Sequence, residues 1–402
     1  MNREFANAMR AAMHLTRAQK LMEATRVIQG ALLLGRGQVL SESPDEQVVE
    51  DRAIDHRLID LSPKITQREI KVPTWPSGDI ATTLGQSEFP GFGLGGLAGV
   101  RLRKAPKIPD GAQFLSRSYA CAAGSRNYKL YVPHRHHAGG PRLLVMLHGG
   151  TQDPDDFAAG TRMNALAEEH GLIVAYPSQC KSANASLCWN WFKPEDQMRG
   201  SGEPSIIAGI TNEIAAEYDI NPECVYVAGL SAGGAMAAVM GTTYPELYAA
   251  VGIHSGLAHA SATDVVSAFA AMRGDTGLGY RSPRKSHRGA NNDSRVRTIV
   301  FHGDADRIVH PSNAENIIKA HTKIGDSVER VKSRPSAGRA YSRAVVRDKS
   351  GLSVVEQWLI HGSDHAWSGG SADGTYTDPH GPDASREMLR FFFEEVPTSR
   401  DD

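Results

Sequence analysis

Short continuous apolar runs that alternate with helical stretches are the feature that most constrains the fold. The runs are predicted strands, whereas the stretches between them have helical spacing. Strands that are apolar throughout, with helices between them, indicate a mostly parallel sheet covered on both faces. The predicted strands are 128–132, 143–147, 172–176, 224–228, 249–253, 298–301 and 354–360. The predicted helices are 155–170, 205–218, 232–241, 312–322 and 383–394.

Charge and hydropathy exclude several classes of protein. The 402 residues carry 44 Lys+Arg and 45 Asp+Glu, so no global field attracts nucleic acid or an anionic membrane. The chain contains no strongly apolar run of about 18 residues, which predicts that no helix spans a membrane. Its first residues also lack the apolar core of a secretory signal, so we expect a cytoplasmic protein.

Composition divides the chain into three regions. Residues 1–35 have apolar side chains at helical spacing and predict two amphipathic helices, which either pack on the main domain or dock on a partner or hydrophobic particle. Residues 36–110 are polar and rich in Gly and Pro, which predicts a disordered linker. The catalytic domain is expected at 111–398, interrupted by a polar stretch at 274–295 that is either a solvated loop or a mobile lid.

Four cysteines are too few for a disulfide framework, and free thiols are favoured over a 180–188 bridge.

The motif Gly229-Leu230-Ser231-Ala232-Gly233 lies between a predicted strand and a predicted helix. A strand that enters a helix through a sharp turn needs glycines where backbones crowd, and it exposes the serine hydroxyl at the carboxyl end of the sheet. The amide of Ala232 then lies at a helix N-terminus, where it can stabilise an oxyanion. Ser231 is therefore a candidate nucleophile; a serine in an ordinary tight turn is the alternative.

A serine nucleophile requires a histidine base and a carboxylate that orients it, in the chain order Ser, Asp, His for this fold. Two loops that follow predicted strands supply them in that order. The first loop offers Asp304 or Asp306, and the second offers His361 or His365. The residues alone leave both choices open.

A second oxyanion donor is expected from the loop after an early strand. The stretch Leu147-His148-Gly149-Gly150-Thr151-Gln152 follows the strand at 143–147, so the amide of Gly150 or Thr151 is the candidate. No cluster has metal-ligand spacing and no phosphate loop is present, so neither a metal nor a cofactor is expected.

Aromatic residues follow both the early and the late motifs. In Trp189-Asn190-Trp191 the indoles alternate, and core packing and lining of a substrate crevice are equally compatible with them. Trp367, two residues after His365, is expected to line the crevice. Apolar aromatic walls suit an ester with a hydrophobic acyl part.

Jointly these stretches resemble the esterase family of poly(3-hydroxybutyrate) depolymerases, which have the α/β-hydrolase fold. The resemblance covers roughly residues 110–395. The matching stretches are 147–152, 188–192, Gly229-Leu230-Ser231-Ala232-Gly233-Gly234-Ala235-Met236, His302-Gly303 with Asp306 and Val309, His365-Ala366-Trp367, 376–379 and 381–385.

The resemblance implies Ser231 as nucleophile, Asp306 as acid and His365 as base, and so selects between the alternatives in both loops. Many members carry a cysteine at the position of Gly150, but a backbone amide is all that position has to supply. Some members are secreted, so an extracellular location is the alternative to a cytoplasmic one.

The expected activity is hydrolysis of poly- or oligo(3-hydroxyalkanoate) esters through an acyl-enzyme, with oligomers or an amorphous granule as the better substrates. A carboxylesterase for small feruloyl-type or acetyl esters is the alternative. A non-catalytic granule-surface protein that binds through residues 1–35 is the rival of another class.

Overall fold

The structure is a computed structural model that describes residues 106, 108–137, 139–275, 296–335 and 337–394. The predicted helices at 1–35 and most of the predicted linker lie outside the described residues. The same holds for most of the polar stretch at 274–295 and for the last residues of the predicted catalytic domain.

One large sheet runs through the described residues. Its ten strands are β1 Gln113–Cys121, β2 Gly124–Val132, β3 Arg142–Leu147, β4 Leu172–Pro177, β5 Val225–Leu230, β6 Ala250–His254, β7 Arg297–Gly303, β8 Ser327–Ser333, β9 Tyr341–Arg347 and β10 Ser353–Ile360. Their spatial order is β1-β2-β4-β3-β5-β6-β7-β10-β9-β8. The strands from β4 to β10 in this order are parallel, while β1, β2, β9 and β8 add antiparallel edges. A separate two-stranded sheet is formed by β11 Trp367–Ser368 and β12 Thr377–Asp378.

Helices connect the parallel strands and cover both faces of the sheet. They are α1 Pro154–Thr161, α2 Met163–His170, α3 Gly202–Glu217, α4 Ala232–Thr243, α5 Val265–Met272, α6 Ser312–His321 and α7 Ala384–Phe392, with short 3-10 turns at Pro194–Gln197 and Pro222–Cys224. Successive side chains of β3 alternate between two hydrophobic clusters: Leu143 and Val145 belong to one, Leu144 and Met146 to the other. The apolar strands are thus buried on both sides, as their composition predicts.

Two aspects of the predicted local structure need correction. The helix predicted at 155–170 is two helices, because Arg162 between them adopts a left-handed φ of 54°. The strands β1, β8 and β9 are not predicted, because many of their residues are polar and only β9 has fully buried positions. All four cysteines are free thiols, as predicted. Within the described part of the chain, no helix is both long and apolar enough to cross a membrane.

Candidate active site

Ser231 occupies the single residue between the end of β5 and the start of α4. Its backbone has φ 56° and ψ −118°, a conformation that L-residues adopt at a cost of about 1–3 kcal/mol. Its amide donates to the carbonyl of His254 (2.9 Å), and its carbonyl accepts from Ala235 in the first turn of α4. The strained backbone is therefore held from both sides, in the sharp strand-to-helix turn that the motif predicts.

The second glycine of the motif lets α4 approach the neighbouring strand. A Cβ atom at Gly233 would lie 2.0 Å from the carbonyl oxygen of Leu147 and 2.5 Å from that of His148. Both obstacles are backbone, so a side chain cannot be accommodated by rotation. This contact holds the loop that follows β3 directly beside Ser231.

The strand order brings the predicted acid and base to the same edge of the sheet. Ser231 follows β5, Asp306 follows β7, and His365 follows β10, and all three strands are parallel. Nδ1 of His365 donates to Oδ2 of Asp306 (2.7 Å), and both side chains are buried. This bond fixes the tautomer of the imidazole and leaves Nε2 as its basic nitrogen.

The Asp306 carboxylate is held by further donors. Its Oδ1 accepts the amides of Ile308 and Val309 at 2.9 Å each. Burial alone would raise the pKa of Asp306, but hydrogen bonds with His302 and His365 outweigh it and hold the pKa well below its usual range. The carboxylate is therefore ionised at neutral pH and suited to orienting His365.

The two loops make direct backbone contact. The amide of Ala305 donates to the carbonyl of Ser363 at 3.1 Å. A Cβ atom at Gly303 would lie 2.1 Å from that same carbonyl. The glycine thus allows the loop of Asp306 and the loop of His365 to approach closely.

The remaining candidates, Asp304 and His361, form a pair of their own. Nδ1 of His361 donates to Oδ2 of Asp304 (2.7 Å), and its Nε2 lies 2.9 Å from Oγ of Ser342. This second pair lies at the surface, with side chains 37–39% exposed.

His254, which no sequence pattern indicates, connects the serine turn to the histidine loop. Its carbonyl accepts from Ser231, and its Nε2 accepts the amide of Ser368 at 3.0 Å. Burial lowers the pKa of His254 well below its ordinary value, so the ring is neutral and can accept this bond. A buried histidine at the end of a core strand resembles a packing residue in sequence, which is why pattern alone does not identify it.

The predicted oxyanion donors Gly150 and Thr151 both lie in the loop after β3, and their amides differ in hydrogen bonding. The amide of Thr151 already donates to the carbonyl of Ser186 at 2.8 Å, and Thr151 has a left-handed φ of 65°. Within the described chain, no partner is found for the amide of Gly150. Of the two predicted alternatives, the geometry thus favours Gly150, together with Ala232 at the N-terminus of α4.

The residues predicted to bind substrate lie in the interior: Trp189, Asn190, Trp191 and Trp367. Trp189 is fully buried, and Trp191 and Asn190 are 6% and 3% exposed. Trp189 and Trp191 belong to a core cluster, so packing rather than an open wall describes them. The indole of Trp367, expected to line the crevice, lies instead in the core: it is 1% exposed, stacks on His254 and donates to Ser385 Oγ at 3.0 Å.

Comparison with known proteins identifies related esterases. The model of the family described as Esterase PHB depolymerase matches residues 126–342, more than half of the chain. The chain is 30% identical over 252 residues to poly(3-hydroxyalkanoate) depolymerase C of Paucimonas lemoignei, covering 62% of this chain and 58% of the relative. It is 33% identical over 234 residues to feruloyl esterase B of Neurospora crassa, covering 55% of this chain and 78% of the relative. The match thus spans little more than half the length of the depolymerase.

The fold has a counterpart among solved structures. An acetyl xylan esterase from Aspergillus awamori aligns with a TM-score of 0.51 over 70% of this chain and 98% of that one, at 19% identity. An identity this low shows the fold alone, and it confirms the predicted α/β-hydrolase architecture. With the family model matching the residues from β2 to β9, the chain belongs to the Esterase PHB depolymerase family.

Proposed function

We propose that the protein is a serine esterase that hydrolyses poly- or oligo(3-hydroxyalkanoate) esters through an acyl-enzyme. The observation that carries the proposal is the buried Asp306–His365 pair at the sheet edge that also holds the strained turn of Ser231. Strain at Ser231 and burial of the pair are costs that folding alone does not require, and such costs concentrate at functional sites.

In the proposed reaction, Nε2 of His365 takes the proton of Ser231 Oγ as the oxygen attacks the ester carbonyl. The amides of Ala232 and Gly150 hold the oxyanion, and His365 returns the proton to the leaving alcohol. Water then attacks the acyl-enzyme with His365 again as base, which releases the acid and restores Ser231. Asp306 keeps Nδ1 protonated throughout and stabilises the imidazolium.

The burial of the candidate tryptophans limits how they could take part in substrate binding. Trp189, Trp191 and Trp367 are buried, so their role in substrate binding would be to shape the crevice from beneath rather than to contact an open surface. The uncharged polyester agrees with the formal charge of −1, which gives no electrostatic preference for an ionic substrate.

Hydrolysis of small feruloyl-type or acetyl esters is the second candidate. It is supported by the similarity to feruloyl esterase B, 78% of whose length is covered. Both candidates use the same triad and differ only in the pocket.

One experiment tests the chemistry and ranks the candidates. Purified protein should hydrolyse p-nitrophenyl butyrate, and Ser231→Ala should abolish the activity while leaving the circular dichroism spectrum unchanged. Turnover of hydroxybutyrate oligomers above that of feruloyl and acetyl esters supports the depolymerase assignment, and the reverse order supports the second candidate. Undiminished hydrolysis by Ser231→Ala contradicts both.

The non-catalytic alternative and the location remain predictions. A protein that only coats polyester granules through residues 1–35 would not react with a fluorophosphonate probe. Cell fractionation with an antibody against the chain would separate a cytoplasmic from an extracellular location.

A further inference from the structure

Glu203, a buried carboxylate at the start of α3, lies outside the proposed triad and is 3% exposed. Its Oε1 accepts from Arg126 Nη2, Gln179 Nε2 and Asn190 Nδ2, and its Oε2 accepts the amide of Asn190 at 2.7 Å. A buried carboxylate is costly unless its oxygens are satisfied, and these donors satisfy it. Glu203 thus joins three segments of the chain at one buried point.

One chain of hydrogen bonds leads from Glu203 to Gly149. Gln179, whose side chain donates to Glu203, uses its backbone amide to donate to Nε2 of His148 at 3.1 Å. Nδ1 of His148 then donates to the carbonyl of Gly149 at 2.8 Å. Burial lowers the pKa of His148, which keeps the ring in the neutral form that this chain requires.

A second chain leads from Glu203 to Thr151. Asn190, held by Glu203 through its amide and side chain, accepts from Nδ2 of Asn184 at 3.1 Å. Oδ1 of Asn184 accepts the amide of Ser186 at 3.0 Å. The carbonyl of Ser186 in turn accepts the amide of Thr151 at 2.8 Å.

The two chains end on the residues that flank Gly150. Gly149 and Thr151 are each fixed through their own backbone, whereas the Gly150 amide between them has no partner within the described chain. A donor amide contributes to an oxyanion hole only if it already points at the oxyanion before the reaction. A tether on both sides of Gly150 provides that preorganisation.

We propose that Glu203 is a positioning residue that fixes the Gly150 amide for oxyanion binding through His148 and Ser186. This inference rests on the proposed function, because it assigns a task to a residue outside the catalytic triad. Glu203 touches no reacting atom, so its loss should lower turnover without changing how well substrate binds in the ground state.

The test compares Glu203→Gln with a matched buried carboxylate. In Glu203→Gln one acceptor oxygen becomes a donor NH2 group, which faces existing donors whichever way the amide turns. Glu356 on β10 is the control, because it is fully buried and accepts from Arg343, Arg390 and Trp358, which belong to β9, α7 and β10. Glu356→Gln loses the same kind of contact, but Glu356 belongs to neither of the two hydrogen-bond chains that lead to Gly149 and Thr151.

For p-nitrophenyl butyrate, Glu203→Gln should lower kcat about tenfold, with KM within about twofold of the wild type. Complete loss of one oxyanion donor lowers kcat by a factor of about 10²–10³, and a misplaced donor should cost less. The inhibition constant of a trifluoromethyl ketone, whose adduct places an oxyanion in the same hole, should rise by a similar factor. Glu356→Gln should leave both values unchanged, even if it lowers the melting temperature equally.

A readout independent of catalysis separates this inference from the proposed function. Hydrogen exchange followed by mass spectrometry should show faster exchange in a peptide covering residues 148–152 of Glu203→Gln, but not of Glu356→Gln. The exchange difference between the two variants could appear although the wild type shows no Ser231-dependent hydrolysis. In that case the tether is supported and the proposed function fails. If Glu203→Gln does not fold, Gln179→Leu breaks one chain and should lower kcat about threefold. Unchanged kcat and exchange in a folded variant would overturn the inference, as would equal losses in Glu356→Gln.

Discussion

Two Asp–His pairs lie on the same two loops and are joined by bonds of equal length, yet they differ in burial. Asp306–His365 and Asp304–His361 both have an Nδ1–Oδ2 distance of 2.7 Å. The first pair is buried, whereas the second is more than one-third exposed. In a water-excluded site a charge pair is far stronger than at the surface, where solvent screens it.

The serines beside the two pairs differ in their backbones. Ser342, which lies 2.9 Å from His361, is in the interior of β9 and pairs with Lys332 and Leu359 on both sides. Ser231 has a left-handed φ and is followed by the N-terminus of α4, where the amide of Ala232 is available. A hydrogen-bonded Ser, His and Asp therefore do not suffice; the surrounding backbone donors distinguish the proposed site from its neighbour.

The largest expected difference between the pairs is in activity. Asp306→Asn should lower kcat for p-nitrophenyl butyrate by about 10³–10⁴, because an amide no longer fixes the His365 tautomer or stabilises the imidazolium. Asp304→Asn, which makes the same change in the exposed pair, should stay within about twofold of the wild type. Steady-state kinetics at pH 7.5 measure both, and comparable losses would erase the distinction between the pairs.

A smaller difference is expected in acid stability. For both carboxyls burial raises the pKa, but hydrogen bonds outweigh it and lower the pKa below the usual value: those with His302 and His365 for Asp306, and that with His361 for Asp304. A lowered pKa contributes stability above the unfolded value of about 4, which is lost as the pH falls through the folded value. Asp306→Asn should therefore flatten the fall in unfolding free energy as the pH drops below about 4.

The matched variant defines the scale of that effect. Because the Asp304 pair is exposed and screened, Asp304→Asn should change the slope less than Asp306→Asn does. Urea unfolding at each pH gives both slopes. A steeper change in Asp304→Asn would show that the exposed pair, and not the buried one, dominates the acid response.

Much of this arrangement could be predicted from sequence because local pattern determines it. The parallel strands are built mainly from apolar residues, so their positions along the chain follow from composition, and the turn at Ser231 follows from its glycines. The edge strands β1 and β8 could not be predicted, since many of their residues are polar and exposed and give no apolar pattern to recognise.

The residues of the candidate site likewise divide into those that the sequence indicates and those that only the assembled fold reveals. Sequence spacing does not distinguish Asp306 from Asp304 or His365 from His361, because each loop presents both residues after the same strand. Burial separates them, and burial is a property of the assembled fold. The contacts of His254 and Glu203 join segments far apart in the chain, so no local pattern could indicate them.

Ser231, activated by the buried Asp306–His365 pair, is the proposed reactive nucleophile. The most direct measurement is peptide mapping by mass spectrometry after reaction with a fluorophosphonate probe, with Ser342→Ala as the matched control. We expect a single adduct on Ser231 that is retained in Ser342→Ala and lost in Ser231→Ala. An adduct on Ser342, or labelling that survives in Ser231→Ala, would contradict it.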